Sequence, residues 1–243
     1  MKYAFAGDRN IAVRVLKYIQ EKDYNPELLC VSLKGSHACQ LMNLCPYLSH
    51  DKIFVGKEIN LQVVVDALQG IDYLICVHFP YIIPKQVLEI KGLTVVNLHP
   101  AYLPYNKGWN TPTWSILDDT PYGATIHVVT ERLDSGPILY QKELPKRFET
   151  ADEMYKRVLE LEYYVFCEWF KPLDRYPYPE VPQQGCETVH NKGALVGRQE
   201  LTGRDISTIT KLRALTTNNI DEAAYWWQDG KKYQITINIH ETT

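Results

Sequence analysis

Apolar runs and amphipathic stretches alternate along the first 100 residues. Tyr3 to Ala6 is a short apolar run, and Ile11, Val15, Leu16 and Ile19 then recur at helical spacing. Leu28 to Leu33 is a second run, followed by a weak helical pattern from Ala38 to Leu44. Ile53 to Val55 predicts a third strand and Leu61 to Leu68 a helix, with strands at Tyr73 to Val77 and Leu93 to Leu98 closing the series. Short apolar runs separated by segments of 3.6-residue period predict strands and helices in turn. That order predicts an α/β fold, a parallel sheet with helices on both faces. Ligands of such sheets bind beyond the carboxyl ends of the strands. Gly7 to Asn10, His78 to Pro84 and His99 to Asn110 should therefore meet on one edge.

The rhythm changes after residue 110. Pro112 to Leu117 predicts a short helix, and Ala124 to Val129 and Ile138 to Leu144 predict strands around a turn at Asp134-Ser135-Gly136-Pro137. Thr150 and Glu153 form a capping box for a long helix with a stripe of Met154, Val158, Leu161, Val165 and Trp169. Pro172 to Gly185, rich in Pro and Tyr, predicts a linker. Tyr225 to Gln228 and Tyr233 to Ile239 flank Asp229-Gly230, a strong hairpin signal. The expected division is a main domain over 1–175 and a small hairpin module over 186–243.

Composition narrows the class. A chain of 243 residues fits one large domain with an appendage. Its formal net charge of −3 argues against a nucleic-acid partner, which usually meets a basic face. The six cysteines include no C-x-x-C pair, and the N-terminal apolar run is too short for a signal-peptide core. Free thiols in a reducing cytoplasm are expected. No stretch approaches the ~18 apolar residues of a membrane span.

Four stretches could carry chemistry. Gly7-Asp8-Arg9-Asn10 opens the first helix, either as an anion site or as a plain turn capped by Asp8. It lacks a G-x-G-x-x-G pattern, so a dinucleotide site is not expected. Asn97-Leu98-His99-Pro100 puts an amide and an imidazole where an apolar strand ends. A buried amide there needs partners, as a catalytic group or as a structural Asn beside a satisfied His. In the stiff loop from Pro100 to Asn110, Lys107 could meet a phosphate, and Trp109 or Tyr105 could stack on a ring. The Asp134 turn taken alone reads as an ordinary turn. His127 reads as a satisfied strand histidine, and His37, His50, His190 and His240 show no metal-ligand spacing, so no metal is expected. Tyr225, Trp226 and Trp227 read as packing residues.

Taken together, these pieces resemble the folate-dependent formyltransferase family. The matching residues are Asn97-Leu98-His99-Pro100, Leu103-Pro104, Gly108 and Leu133-Asp134-Ser135-Gly136, with Phe79 to Pro84 and Lys211 to Thr216 in support. The resemblance implies a Rossmann-like formyltransferase fold and 10-formyltetrahydrofolate as formyl donor. It implies that Asn97 and His99 bind the formyl oxygen and that Asp134 orients His99 and helps deprotonate the attacking amine. It places the folate along Phe79, Tyr81, Ile82 and Ile83, and beside Asp134. Tyr105 to Asn110 look most like the nucleotide-sugar N-formyltransferases, often homodimers serving bacterial O-antigen and other surface polysaccharides. The implied acceptor is dTDP-4-amino-4,6-dideoxyglucose, with Arg9, Asn10, His78, Lys107, Trp109 and Asn110 as candidate contacts. The alternatives are a methionyl-tRNA formyltransferase-like enzyme and a formyltetrahydrofolate hydrolase. A silent binding domain is disfavoured by the intact Asn97, His99 and Asp134.

Overall fold

Strand β1 (Tyr3–Gly7) is apolar and buried at every position, and it lies mid-sheet in the computed structural model, which describes residues 1–34, 37–171, 179–200 and 206–240. It leads into α1 (Arg9–Gln20), capped by the Asp8 carboxylate, which accepts from the Arg9 N–H at 2.8 Å. Ile11, Val15, Leu16 and Ile19 form its buried stripe, as their spacing predicts. The series continues with β2 (Leu28–Val31), α2 (Ala38–Asn43), β3 (Ile53–Val55), α3 (Gln62–Ala67), β4 (Tyr73–Val77), α4 (Lys85–Leu88) and β5 (Thr94–His99). After it come β6 (Lys107–Gly108), α5 (Thr111–Leu117), β7 (Gly123–Val128), β8 (Ile138–Glu143) and α6 (Ala151–Phe170). The last elements are β9 (Val189–His190), α7 (Ile206–Leu215), β10 (Ala224–Gln228) and β11 (Lys231–Ile235).

The main sheet has the order β3-β2-β1-β4-β5-β7-β8. β1 to β5 run parallel, and β7 pairs antiparallel with β5. It is thus a mixed, mostly parallel sheet flanked by helices. The parallel strands are near-continuous apolar runs because both faces are covered. Burial pushes the thiol of Cys76 up to about 12, and that of Cys30 well above its usual range.

The capping box at Thr150 forms: the Glu153 carboxylate accepts from the Thr150 N–H at 2.8 Å, and the Glu153 N–H donates to the Thr150 hydroxyl at 3.3 Å. The hairpin of β10 and β11 also forms, with Asp229 (φ 51) and Gly230 (φ 72) both left-handed, as a two-residue turn of this twist requires. Two pairings have no sequence signal: the antiparallel β5–β7 contact, and the two-residue parallel pair of β6 with β9.

The chain forms two compact units. The first holds 1–99, 125–141 and 162–183; the second holds 100–124, 142–161 and 184–243. The first unit has its core between the sheet and its helices, around Ala4, Leu28, Ile59, Leu74 and Val95. In the second, Trp114, Leu195, Leu215 and Ala224 pack together. Of the expected linker, 172–178 lie outside the described residues, and so does the expected boundary at 175. Val181 is not free: it exchanges both backbone hydrogen bonds with Ile138, at 2.8 and 2.9 Å, which ties this stretch to the start of β8.

Candidate active site

β5 supplies the first two groups. Val95 and Val96 are buried, and alternation along the strand then brings Asn97 and His99 to one face. Asn97 lies opposite His127 of β7 in the antiparallel register. The Asn97 amide Nδ2 donates to His127 Nε2 at 3.3 Å, while His127 Nδ1 is 2.9 Å from the Val128 carbonyl oxygen. A carbonyl only accepts, so the His127 proton sits on Nδ1 and Nε2 offers its lone pair. This fixes the Asn97 amide with its nitrogen toward His127, leaving a second N–H to give.

Asp134 arrives from the turn before β8. One carboxylate oxygen is 3.7 Å from His99 Nε2 and the other 3.6 Å from His127 Nε2. The two imidazoles stand at 90° with centroids 6.1 Å apart. All three side chains are nearly buried, Asp134 being the most exposed at 11%. His99 Nε2 is buried and has no hydrogen-bond partner among the described residues. A buried polar atom left unmatched costs stability, and it is what a site awaiting a polar ligand looks like.

The turn around Asp134 is held tightly. Asp134 itself has φ 44, a region costly for a non-glycine residue. Gln183 Nε2 donates to the carbonyls of Asp134 and Gly136, both at 2.8 Å. The Val128 N–H donates to the Pro137 carbonyl at 2.9 Å. Gly136 packs so closely on β7 that a Cβ there would stand 1.9 Å from the Val128 carbonyl oxygen. The glycine thus serves close approach, and the turn is not an ordinary surface turn.

The structure brings Asn97, His99 and Asp134 together in the first unit, and adds His127 and Gln183, which the sequence does not single out. His78 follows β4 at φ 52, and its Nε2 is 2.9 and 3.0 Å from the two carboxylate oxygens of Glu162. Phe79 and Tyr81 are half-buried with rings 5.3 Å apart, and the Lys34 ammonium lies 4.8 Å from the Tyr81 ring. Ile82 is exposed, whereas Ile83 belongs to the hydrophobic core. Arg9 and Asn10 are exposed at the start of α1, and Arg9 is left-handed. A Cβ on Gly7 would stand 2.7 Å from the Phe5 ring, so that glycine also serves packing.

Within the second unit, Lys107, expected to meet a phosphate, is buried and its ammonium binds Glu187 at 2.6 Å. An ammonium cannot stay buried without an anion, and a carboxylate 80 residues away supplies it. Trp109 is exposed, with the Lys192 ammonium 5.3 Å from its ring. Asn110 takes a left-handed conformation at the start of α5. His190 stacks on Trp114 at 3.9 Å, and burial lowers its pKa from the usual histidine value. Among the described residues, no cluster of His, Cys, Asp and Glu could hold a metal ion, and no helix is long and apolar enough to cross a membrane.

Residues 51–169, which include Asn97, His99, His127 and Asp134, match the family described as formyl transferase. The chain carries a formyl transferase domain. It is 25% identical to dTDP-4-amino-4,6-dideoxyglucose formyltransferase of Mycobacterium bovis, over 72% of this chain and 76% of that protein. It is 32% identical to methionyl-tRNA formyltransferase of Thermotoga maritima, over 71% of this chain but 58% of that protein. A sugar N-formyltransferase from Shewanella has the same fold, with TM-score 0.85 and 21% identity, over 100% of this chain and 99% of the other. An N-formyltransferase from Helicobacter canadensis, solved in complex with folinic acid and dTDP-3-aminofucose, superposes with TM-score 0.71 and 20% identity, covering 93% and 86% of the two chains. The chain is an enzyme that transfers formyl groups.

Proposed function

We propose that this formyl transferase moves the formyl group of 10-formyltetrahydrofolate to the amine of a nucleotide-linked amino-dideoxy sugar, dTDP-4-amino-4,6-dideoxyglucose, for a surface polysaccharide. The observation that carries the chemistry is the unmatched, buried His99 Nε2 beside Asn97 and Asp134. The amine nitrogen attacks the formyl carbon, and the C=O π pair moves onto oxygen. The second Asn97 N–H and a His99 N–H donate to that oxyanion. Each preorganised donor of this kind is worth roughly a hundredfold to a thousandfold in rate. Asp134 takes the proton from the attacking nitrogen, directly or through His99. The oxyanion then collapses, the C–N bond to the folate breaks, and the proton goes to the leaving nitrogen. Tetrahydrofolate and the formamide are the products.

The sugar acceptor is supported by coverage. The sequence match spans 76% of the dTDP-sugar relative but 58% of the tRNA-acting one. On this view residues 1–175 carry catalysis and 186–243 form an accessory module. The exposed Trp227 and Tyr233 of the hairpin favour pairing with a second copy, in the cytoplasm where folate and nucleotide sugars meet. The test is incubation with 10-formyltetrahydrofolate and dTDP-4-amino-4,6-dideoxyglucose, read by mass. Donor-dependent gain of one formyl group is expected. Its absence from this and other nucleotide amino sugars sinks the acceptor class, and steady formate release without an amine moves the assignment to a hydrolase.

A further inference from the structure

Beside the centre stands a second histidine–carboxylate pair that the mechanism above does not use. Val77 and Leu98 are partners in the parallel register of β4 and β5, and the next residues are His78, just past the end of β4, and His99, the last of β5. Glu162, on α6, is fully buried, and among the described residues both its oxygens lie within hydrogen-bond distance of His78 Nε2 alone. A buried carboxylate must be matched by a donor. Nε2 is therefore the protonated nitrogen, shared between two acceptor oxygens. The other nitrogen, Nδ1, has no partner among the described residues, although the side chain is 94% buried. His78 also has φ 52, a conformation costly for a non-glycine residue that its surroundings must enforce.

We propose that His78 Nδ1 accepts a hydrogen bond from the acceptor substrate, and that Glu162 is the positioning residue that pins the proton on Nε2 so that Nδ1 keeps its lone pair. The group it accepts from is an O–H or N–H, the donors an amino sugar carries at and beside the carbon that bears its reacting amine. A carboxylate fixing one imidazole nitrogen so that the other works is the orienting arrangement known from histidine–aspartate pairs. Here the oriented atom serves acceptor placement. The inference rests on the sugar reading above for the identity of the acceptor; the state of the His78 ring does not depend on it.

The variants are His78→Ala, His78→Asn and Glu162→Gln, assayed with dTDP-4-amino-4,6-dideoxyglucose and 10-formyltetrahydrofolate varied separately. Asn tolerates a left-handed backbone and keeps a polar atom near the Nδ1 position. His78→Ala should raise the acceptor KM at least about tenfold, the loss expected for one hydrogen bond to a buried group, with the donor KM within about twofold. His78→Asn should recover part of that loss, and Glu162→Gln should fall between. An unchanged acceptor KM in His78→Ala and Glu162→Gln overturns the proposal, and so does an equal rise in both KM values, which marks a structural clamp. Nitrogen NMR of 15N-histidine-labelled enzyme without ligand is the second readout. It should show His78 protonated on Nε2 and bare on Nδ1, a state lost in Glu162→Gln. A protonated Nδ1 overturns the proposal whatever acceptor the enzyme takes. Failure of the unmodified enzyme to formylate any nucleotide amino sugar, with the NMR state as expected, refutes the sugar reading and leaves the oriented ring standing.

Discussion

Gly136→Ala tests whether close packing of the catalytic turn positions Asp134. A Cβ at this site would lie 1.9 Å from the Val128 carbonyl oxygen, 2.9 Å from its carbon and 3.0 Å from Thr130 Cγ2. A close carbon–oxygen contact needs about 3.3 Å, so the turn must retreat by about 1.4 Å or drag β7 with it. The obstacle is backbone, which cannot rotate aside. The φ of Gly136 is not left-handed, so no backbone strain confuses the result. Retreat stretches the Val128–Pro137 hydrogen bond and the two bonds from Gln183. It also carries the Asp134 carboxylate away from His99 and His127, which are already 3.7 and 3.6 Å away. A misplacement of about 1 Å can cost on the order of a hundredfold in rate, or about 2.7 kcal/mol in the barrier. Overpacking of a tight site costs about 1–3 kcal/mol in stability, a melting shift of about 2–4 °C per kcal/mol at this chain length. The assay is kcat/KM with the formyl donor, alongside a thermal melt and a circular dichroism spectrum. The expected result is a loss near a hundredfold in a folded protein with a modest melting shift. Activity within twofold of the parent refutes the reasoning, because Asp134 would then tolerate displacement of its turn.

The remaining expectations are simpler. Asp134→Asn and Asn97→Ala should each lower kcat by at least about 100-fold while the enzyme stays folded; activity near the parent's in either removes that residue from the mechanism. Gln183→Ala removes two hydrogen bonds to the Asp134 turn, each worth about 1 kcal/mol; a drop of about tenfold in kcat with an unchanged donor KM is expected, and an unchanged kcat shows that the turn holds without it. Burial lowers the pKa of His190, so the unfolded chain binds its proton more readily than the fold does. Its contribution is present above the unfolded value near 6.5 and is lost as pH falls below it. Denaturant titrations at pH 5 and pH 8 should therefore show a smaller stability difference in His190→Phe than in the parent. Finally, a thiol reagent should modify the exposed Cys39 and Cys186 in the native enzyme and reach the buried Cys30, Cys45 and Cys76 only on unfolding.

The parts of this fold legible in sequence are those governed by local pattern. Apolar runs flanked by amphipathic stretches gave β1 to β5 and α1, and Asp229-Gly230 gave the hairpin. Asn97 and His99 stood out because two polar groups end a run of valines. What stayed hidden depends on partners far along the chain. His127 sits in an apolar strand like any core histidine, and only the antiparallel register sets it opposite Asn97. Lys107 reads as a loop cation open to phosphate, and only folding brings Glu187 to it. Gln183 lies in a stretch that reads as linker, yet it clasps the turn that carries Asp134. Gly136 is visible as a turn glycine, but nothing local tells that its hydrogen, rather than its conformational freedom, is required.

One antiparallel strand changes what the sheet can do. A parallel sheet lays its functional groups along the strand ends, each from a different loop. β7 instead runs back along β5, so His127 meets Asn97 through strand register and not through a loop. The turn that leaves β7 must then fold over the same strand to start β8, and Gly136 lets it lie against Val128. That geometry delivers Asp134 to both imidazoles at once. A one-residue slip of β7 on β5 would turn His127 to the opposite face and release the Asn97 amide. The groups proposed to react are therefore fixed by backbone pairing that the whole sheet stabilises, while the exposed Ile82 and Trp109 stand on loops. On the proposed mechanism, formyl chemistry is set by register and the choice of amine is left to the loops.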